Sequence, residues 1–386
     1  MKNIKFGLLT RIIVAIVLGI IIGSISNEWF IQLFATFNGI FGNFLSFIIP
    51  FIIIGFITPG IGTLGKGAGK LLGLSAFLAY GSTLVGGLIA YIVAKSLYPT
   101  LLNGQSLTNF ADPTEGLSEP FLTISMVPPM EVVSALILSF VVGIGLAAIK
   151  GDKLLNVFLD FRGIVELVIE KVIIPLLPFH IFGIFANMTH TGQVATILSV
   201  FSKVMVMIII LHIVYLILQY SVAGSISKQN PIGMLKTMSP AYFTALGTQS
   251  SAATIPVTLT HAKKLKMKDS IADFTIPLFA NIHLSGSTIT LVSCSLAVMF
   301  LHGESATIGT YLPFIFMLGI TMVAAPGVPG GAVMAAIGLL ESMLGFSPAM
   351  VSLMIALYLA QDSLGTACNV TGDGAITSIV NTVYKR

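Results

Sequence analysis

A chain of 386 residues that is 55% hydrophobic and 9% charged, with a mean hydropathy of +0.99, falls far below the roughly 25% charge of an ordinary soluble domain. Its formal charge of +4 comes from cations in short loops between apolar runs, which argues against nucleic acid as a partner. Two cysteines, Cys294 and Cys368, both within apolar stretches, supply neither a disulfide framework nor a zinc spacing.

Runs long enough to cross about 30 Å of hydrocarbon are predicted at 7–26, 36–60, 68–97, 132–150, 158–187 and 193–222, then at 269–300 and 348–384. The first follows a basic start, as a secretory leader would, but the spans behind it favour a first membrane helix. Two segments between these spans are broken into pieces too short to cross. In 231–262 apolar pieces flank GTQSSAATIP, and in 308–346 they flank APGVPGGA. Both read as re-entrant hairpins. The predicted fold is an all-α polytopic membrane protein with eight transmembrane helices and two re-entrant hairpins.

The cations test this topology, because cytoplasmic loops are enriched in Lys and Arg. With the N-terminus inside, Lys66, Lys70, Lys150, Lys153, Lys228, Lys236, the cluster 263–268, Lys385 and Arg386 all fall on the cytoplasmic side of an inner (plasma) membrane. The longest outer loop, 98–131, carries Asp112, Glu115 and Glu119. Both termini are expected in the cytoplasm. Hairpin plus helix then occurs twice in opposite orientation, at 231–300 and 308–384. Inverted repeats of this kind recur in secondary transporters, whose broken helices expose backbone groups to ions and substrate.

The last span contains QDSLGTACNVTGDGA. At 100° per residue, positions 362, 366, 369 and 373 fall at about 0°, 40°, −20° and 20°, so Asp362, Thr366, Asn369 and Asp373 form one stripe. A polar ladder that only binds helices together is the plain reading of Thr366 and Asn369. Two acids need more. No Lys or Arg occurs between Asp269 and Val383 or within 237–262, so their countercharge must be imported: an inorganic cation, a substrate ammonium or protons. In span 269–300, NIHLSGSTIT brings Asn281, His283, Ser285 and Ser287 around Gly286, which predicts a helix unwound near its centre. His283 reads equally as a proton carrier, an ion-site neighbour or a neutral core histidine.

SSAATIP at 250–256, PGVPGGA at 326–332 and D-x-x-x-T-x-x-N-x-x-x-D at 362–373, in this order along the whole chain, resemble the dicarboxylate/amino acid:cation symporter family. The resemblance implies a homotrimer whose protomers each move a transport domain past a fixed scaffold, in an elevator mechanism. It divides the chain into scaffold helices 1–2 (1–67), transport-domain helix 3 with the outer loop (68–131), scaffold helices 4 (132–157) and 5 (158–192), and transport-domain helix 6 (193–230). Hairpin 1 (231–268), broken helix 7 (269–302), hairpin 2 (303–347) and helix 8 (348–386) follow. By motif, Asp362 resembles the acceptor of a substrate α-ammonium, with Thr366 and Asn369 as polar partners. Ser250, Ser251, Ser287, Gly327 and Val328 resemble further substrate contacts. Asp373 resembles the carboxylate of a sodium site, with Asn369, His283, Phe279 and Asn281 around it; Tyr80 and Thr83 resemble part of a deeper one.

The departures from the family pattern are informative. Members that carry acidic substrates place Arg just before the Thr of the last helix, where its fork grips a distal carboxylate; here that residue is Gly365. A small neutral amino acid such as serine, threonine or alanine is therefore expected, with Na⁺ as coupling ion and H⁺ as the alternative. An acidic amino acid or dicarboxylate is the runner-up substrate. The family's NMDGT motif reads HLSGS here, and Leu84 follows Thr83, which weakens the deep sodium site. A channel is the rival from another class. Nucleophile motifs such as GxSxG or HExxH are absent, so no enzyme is expected.

Overall fold

In the computed structural model of the protein, residues 8–65, 70–102, 120–149, 152–192, 194–304, 306–325 and 329–384 are described, and among them every regular element is helical. The N-terminal half forms α1 (Leu8–Ile25), α2 (Glu28–Gly65), α3 (Lys70–Leu101), α4 (Val132–Ala148), α5 (Lys153–Val168), α6 (Ile174–His190) and α7 (Val194–Ser227). A single π turn, Ile169–Ile173, joins α5 to α6 as one span. Among the described residues five helices are long and apolar enough to cross a membrane, or six if a bent pair near the C-terminus is one span. The predicted first and fourth spans, α1 and α4, are shorter, with 18 and 17 residues. At 38 residues, about 57 Å of helix, α2 must lie tilted to stay within a bilayer.

The next two helices, α8 (Pro231–Thr248) and α9 (Ser251–Ala262), pack against each other as a hairpin. Local chemistry fixes both its ends. Asn230 caps α8 by accepting from Ile232 N and Gly233 N, with Pro231 in the first turn where a missing N–H costs nothing. At the tip Gln249 takes a left-handed conformation (φ 53°), and the Ser250 side chain caps α9 through Ala253 N. The second hairpin pairs α12 (Ile308–Ala324) with α13 (Gly331–Leu344). Gly330 (φ 76°) turns the chain into α13. Gly327 and Val328 lie outside the described residues.

The two spans beside the hairpins are both broken. α10 (Asp269–Ile282) and α11 (Ser285–Leu301) meet at His283–Leu284, and α14 (Pro348–Leu359) and α15 (Asp362–Tyr384) meet at Ala360–Gln361 with a bend of 59°. The first break lies ahead of Gly286, where unwinding is expected from sequence. Gly286 serves close packing instead: a Cβ there would come within 2.5 Å of the Gly365 carbonyl oxygen and 2.6 Å of Cys368 Cβ. Without side-chain bulk, α11 and α15 touch backbone to backbone.

α11 and α15 are buried along almost their whole length. Around them pack α3, α7, α8, α9, α10 and α14. α1, α2, α4, α5 and α6 pack chiefly with one another, and meet the first group mainly through α2 and α6. A polar link crosses between the groups: His180 on α6 reaches Ser352 Oγ on α14 at 3.0 Å with Nε2, while Nδ1 lies 3.1 Å from the Asn38 amide on α2. Because Ser352 donates to the Pro348 carbonyl, it accepts from His180, and Asn38 presents its nitrogen to Nδ1.

Candidate functional site

The stripe lies wholly on α15, and the break just before it decides its electrostatics. Asp362 is the first residue of α15, where unpaired backbone N–H groups and the helix dipole favour a negative charge. Its Oδ2 accepts from Gly330 N at 2.7 Å, so the tip of the second hairpin closes directly on this carboxylate. Tyr358 lies beside it, with Ser287 next to Tyr358. Asp362 is only 5% exposed, and no cationic side chain is paired with it among the described residues.

Thr366 is buried one turn further along α15. Asn369 holds the neighbouring helix in place, since its Oδ1 accepts from Gly286 N at 2.7 Å and Ser287 N at 3.3 Å, and its Nδ2 donates to Ser287 Oγ at 2.9 Å. It thereby caps the first turn of α11 from α15, satisfying N–H groups that the break leaves without partners. This fixes Ser287 beside Tyr358. Gly365 faces the same turn, and a Cβ on it would sit 3.4 Å from Ser287 N and from Thr290 Oγ1. That is ordinary contact, so at Gly365 α15 packs on the first turn of α11 with no side chain between them.

Asp373 lies at the far end of the stripe, paired with His283. The imidazole Nδ1 is 2.8 Å from Asp373 Oδ1, with both side chains fully buried. On its other edge Nε2 lies 3.0 Å from Ser82 Oγ, which receives Gln219 Nε2 at 2.9 Å; the Tyr215 hydroxyl donates to the Ser82 backbone carbonyl. The Nδ1 edge of the imidazole donates to the carboxylate, and the Nε2 edge is held by Ser82. Space for the ring comes from Gly372, whose missing Cβ would stand 3.0 Å from His283 Cε1.

The other predicted ion-site residues are dispersed. Tyr80 donates to the Phe316 carbonyl on α12, and Thr83 to the Ala79 carbonyl of its own helix. The Phe279 carbonyl accepts from His283 N, while its ring is buried against the imidazole. Asn281 is exposed and donates to the Pro277 carbonyl. Ser250 and Ser251 are at the tip of the first hairpin, and Ser251 is buried. Sequence reasoning missed Gly330, Tyr358, Ser82, Gln219 and Tyr215. Ser82, Gln219 and Tyr215 are polar groups within otherwise apolar spans, which is itself a signal of function.

A buried cluster of acids, hydroxyls and broken-helix backbone, with no Lys or Arg paired to its acids among the described residues, is the arrangement expected of a secondary transporter. The profile described as "Sodium:dicarboxylate symporter family" matches residues 8–383. The chain belongs to the sodium:dicarboxylate symporter family. The symporter is thus a multi-pass membrane transporter and not an enzyme, and the resemblance carried by 250–256, 326–332 and 362–373 holds. It is similar to serine/threonine transporters SstT of Acinetobacter baumannii strains AYE, AB307-0294 and AB0057. Each is 27% identical over 390 aligned residues, spanning 98% of this chain and 97% of the relative.

Proposed function

We propose that the symporter imports a small neutral amino acid, serine, threonine or alanine, together with a cation. The observation that carries this reading is Asp362: a buried carboxylate with no cationic partner among the described residues, held by the Gly330 N–H, three residues ahead of a glycine where acidic-substrate members carry Arg. Such a group suits an α-ammonium. Nothing at Gly365 suits a distal carboxylate, which would be buried unpaired at a cost on the order of several kcal/mol per ion. The names of the relatives support the same substrate class.

An arriving substrate competes with the hairpin tip for Asp362, so the second hairpin senses occupancy. Coupling then follows if the hairpin closes only over the fully loaded site. The grouping of α1, α2 and α4–α6 apart from α3 and α7–α15 supports an elevator, with the second group as the moving body. A homotrimer and cytoplasmic termini complete the reading.

For the coupling ion, Na⁺ at Asp373 is favoured by the family. Hard cations take oxygen ligands, so Na⁺ there requires the imidazole to yield its place on the carboxylate. Because His283 now holds Asp373, a proton carried with this pair is the second reading. Proteoliposome uptake of labelled serine separates the two. A Na⁺ gradient at equal pH drives uptake on the first reading, and an inward pH gradient without Na⁺ drives it on the second. Channel-rate currents without saturable uptake would falsify both.

A further inference from the structure

The Tyr358 hydroxyl is fully buried yet has no hydrogen-bond partner among the described residues. Its polar neighbours are Ser287 and Asp362. A phenol inside a membrane protein loses its water without compensation in this state. A phenylalanine would fill the same volume without that cost, so the hydroxyl calls for a partner that arrives later.

We propose that Tyr358, with Ser287, reads the side-chain hydroxyl of the substrate, making this a transporter that prefers serine and threonine to alanine. The inference rests on Asp362 receiving the substrate ammonium. In serine and threonine the hydroxyl oxygen is only three bonds from the ammonium nitrogen, so anchoring one beside Asp362 brings the other to the groups that flank it. Those groups are complementary. Tyr358 has a free O–H to donate. Ser287 Oγ accepts from Asn369 Nδ2 at 2.9 Å and keeps its own proton to give. A substrate hydroxyl accepts the Ser287 proton and donates to the Tyr358 oxygen, or accepts from Tyr358 and donates to the remaining Ser287 lone pair, and alanine does neither.

Gly365 and Asn369 support the geometry from either side. Asn369 locks Ser287 through two hydrogen bonds and the adjoining Gly286 through a third, so the reading group is preorganised. Gly365 projects no side chain toward the turn that carries Ser287 and Thr290, so that turn packs directly on α15. Sites built to hydrogen-bond a substrate hydroxyl discriminate strongly against the analogue lacking it, because their own polar groups are then left unpaired.

The test compares uptake of serine and alanine by the full-length symporter and its Tyr358→Phe variant in proteoliposomes, scoring the ratio of kcat/KM values. The wild type is expected to favour serine, and the variant to lower the serine-to-alanine ratio by about tenfold or more. A wild type that does not separate serine from alanine overturns the inference. So does a Tyr358→Phe variant that slows both equally, since Tyr358 would then act only on Asp362. Competition by O-methylserine on the wild type serves if the variant does not fold: weaker competition than serine supports the reading, and equal competition overturns it. Absence of uptake for every amino acid is a different failure, because it removes the transport reading beneath the inference.

Discussion

Gly286 is the residue at which packing and function meet. It lets α11 and α15 approach until its own Cα side faces the Gly365 carbonyl and Cys368, while its N–H is taken by Asn369. Gly286→Ala forces a methyl to within 2.5 Å of a backbone oxygen that cannot rotate away. Overpacking of this kind costs about 1–3 kcal/mol. The expected outcome is a lower Tm in detergent and weaker substrate binding together, read by thermal shift with and without serine. An unchanged Tm would show that the two helices separate easily, and that the cap by Asn369 is not what fixes the site. Asn369 also shows why sequence reading stopped short: its partners are 82 and 83 positions away, so no local pattern reveals that it caps another helix.

At the scale of elements, the hairpins and the polar stripe were legible and the breaks were only partly so. Pro and Gly in PGVPGGA and the short apolar pieces around GTQSSAATIP announce turns by local chemistry, and both hairpins are present. The stripe survives because 362 to 373 lie on one uninterrupted helix. The break at His283–Leu284 falls inside NIHLSGSTIT near the centre of span 269–300, as expected, yet the bend at Ala360–Gln361 falls in YLAQDS, which contains no helix breaker. Tertiary packing decides both. The consequence for chemistry is that Asp362 gains a helix N-terminus and Asp373 a histidine from the opposite break. The substitution of His283 for the family's Asn is visible in sequence, but its union with Ser82 and Gln219 from α3 and α7 is not.

For the whole molecule, the two helix groups make a mechanical prediction. His180 and Ser352 join them at 3.0 Å beside a cavity of about 370 Å³ lined also by Asn38, Asn187 and Pro348. If the groups slide past each other, this contact breaks in every cycle. Cysteines introduced as His180→Cys and Ser352→Cys, bridged by mercury(II) through the cavity, are expected to abolish uptake while serine binding persists. Thiol should restore it. Native Cys294 and Cys368 are fully buried and do not compete for the reagent. Full-rate uptake by the bridged protein would mean that the two groups travel together.

The central claim is that Asp362 receives the ammonium of a neutral amino acid. It is tested most directly by calorimetric titration of the purified symporter with serine and with aspartate, on the wild type and on Asp362→Asn. The account predicts that serine binds the wild type, that aspartate binds at least tenfold more weakly, and that Asp362→Asn binds neither, because an amide cannot replace a buried carboxylate opposite an ammonium. Tighter binding of aspartate than of serine, or undiminished serine binding by Asp362→Asn, would contradict it.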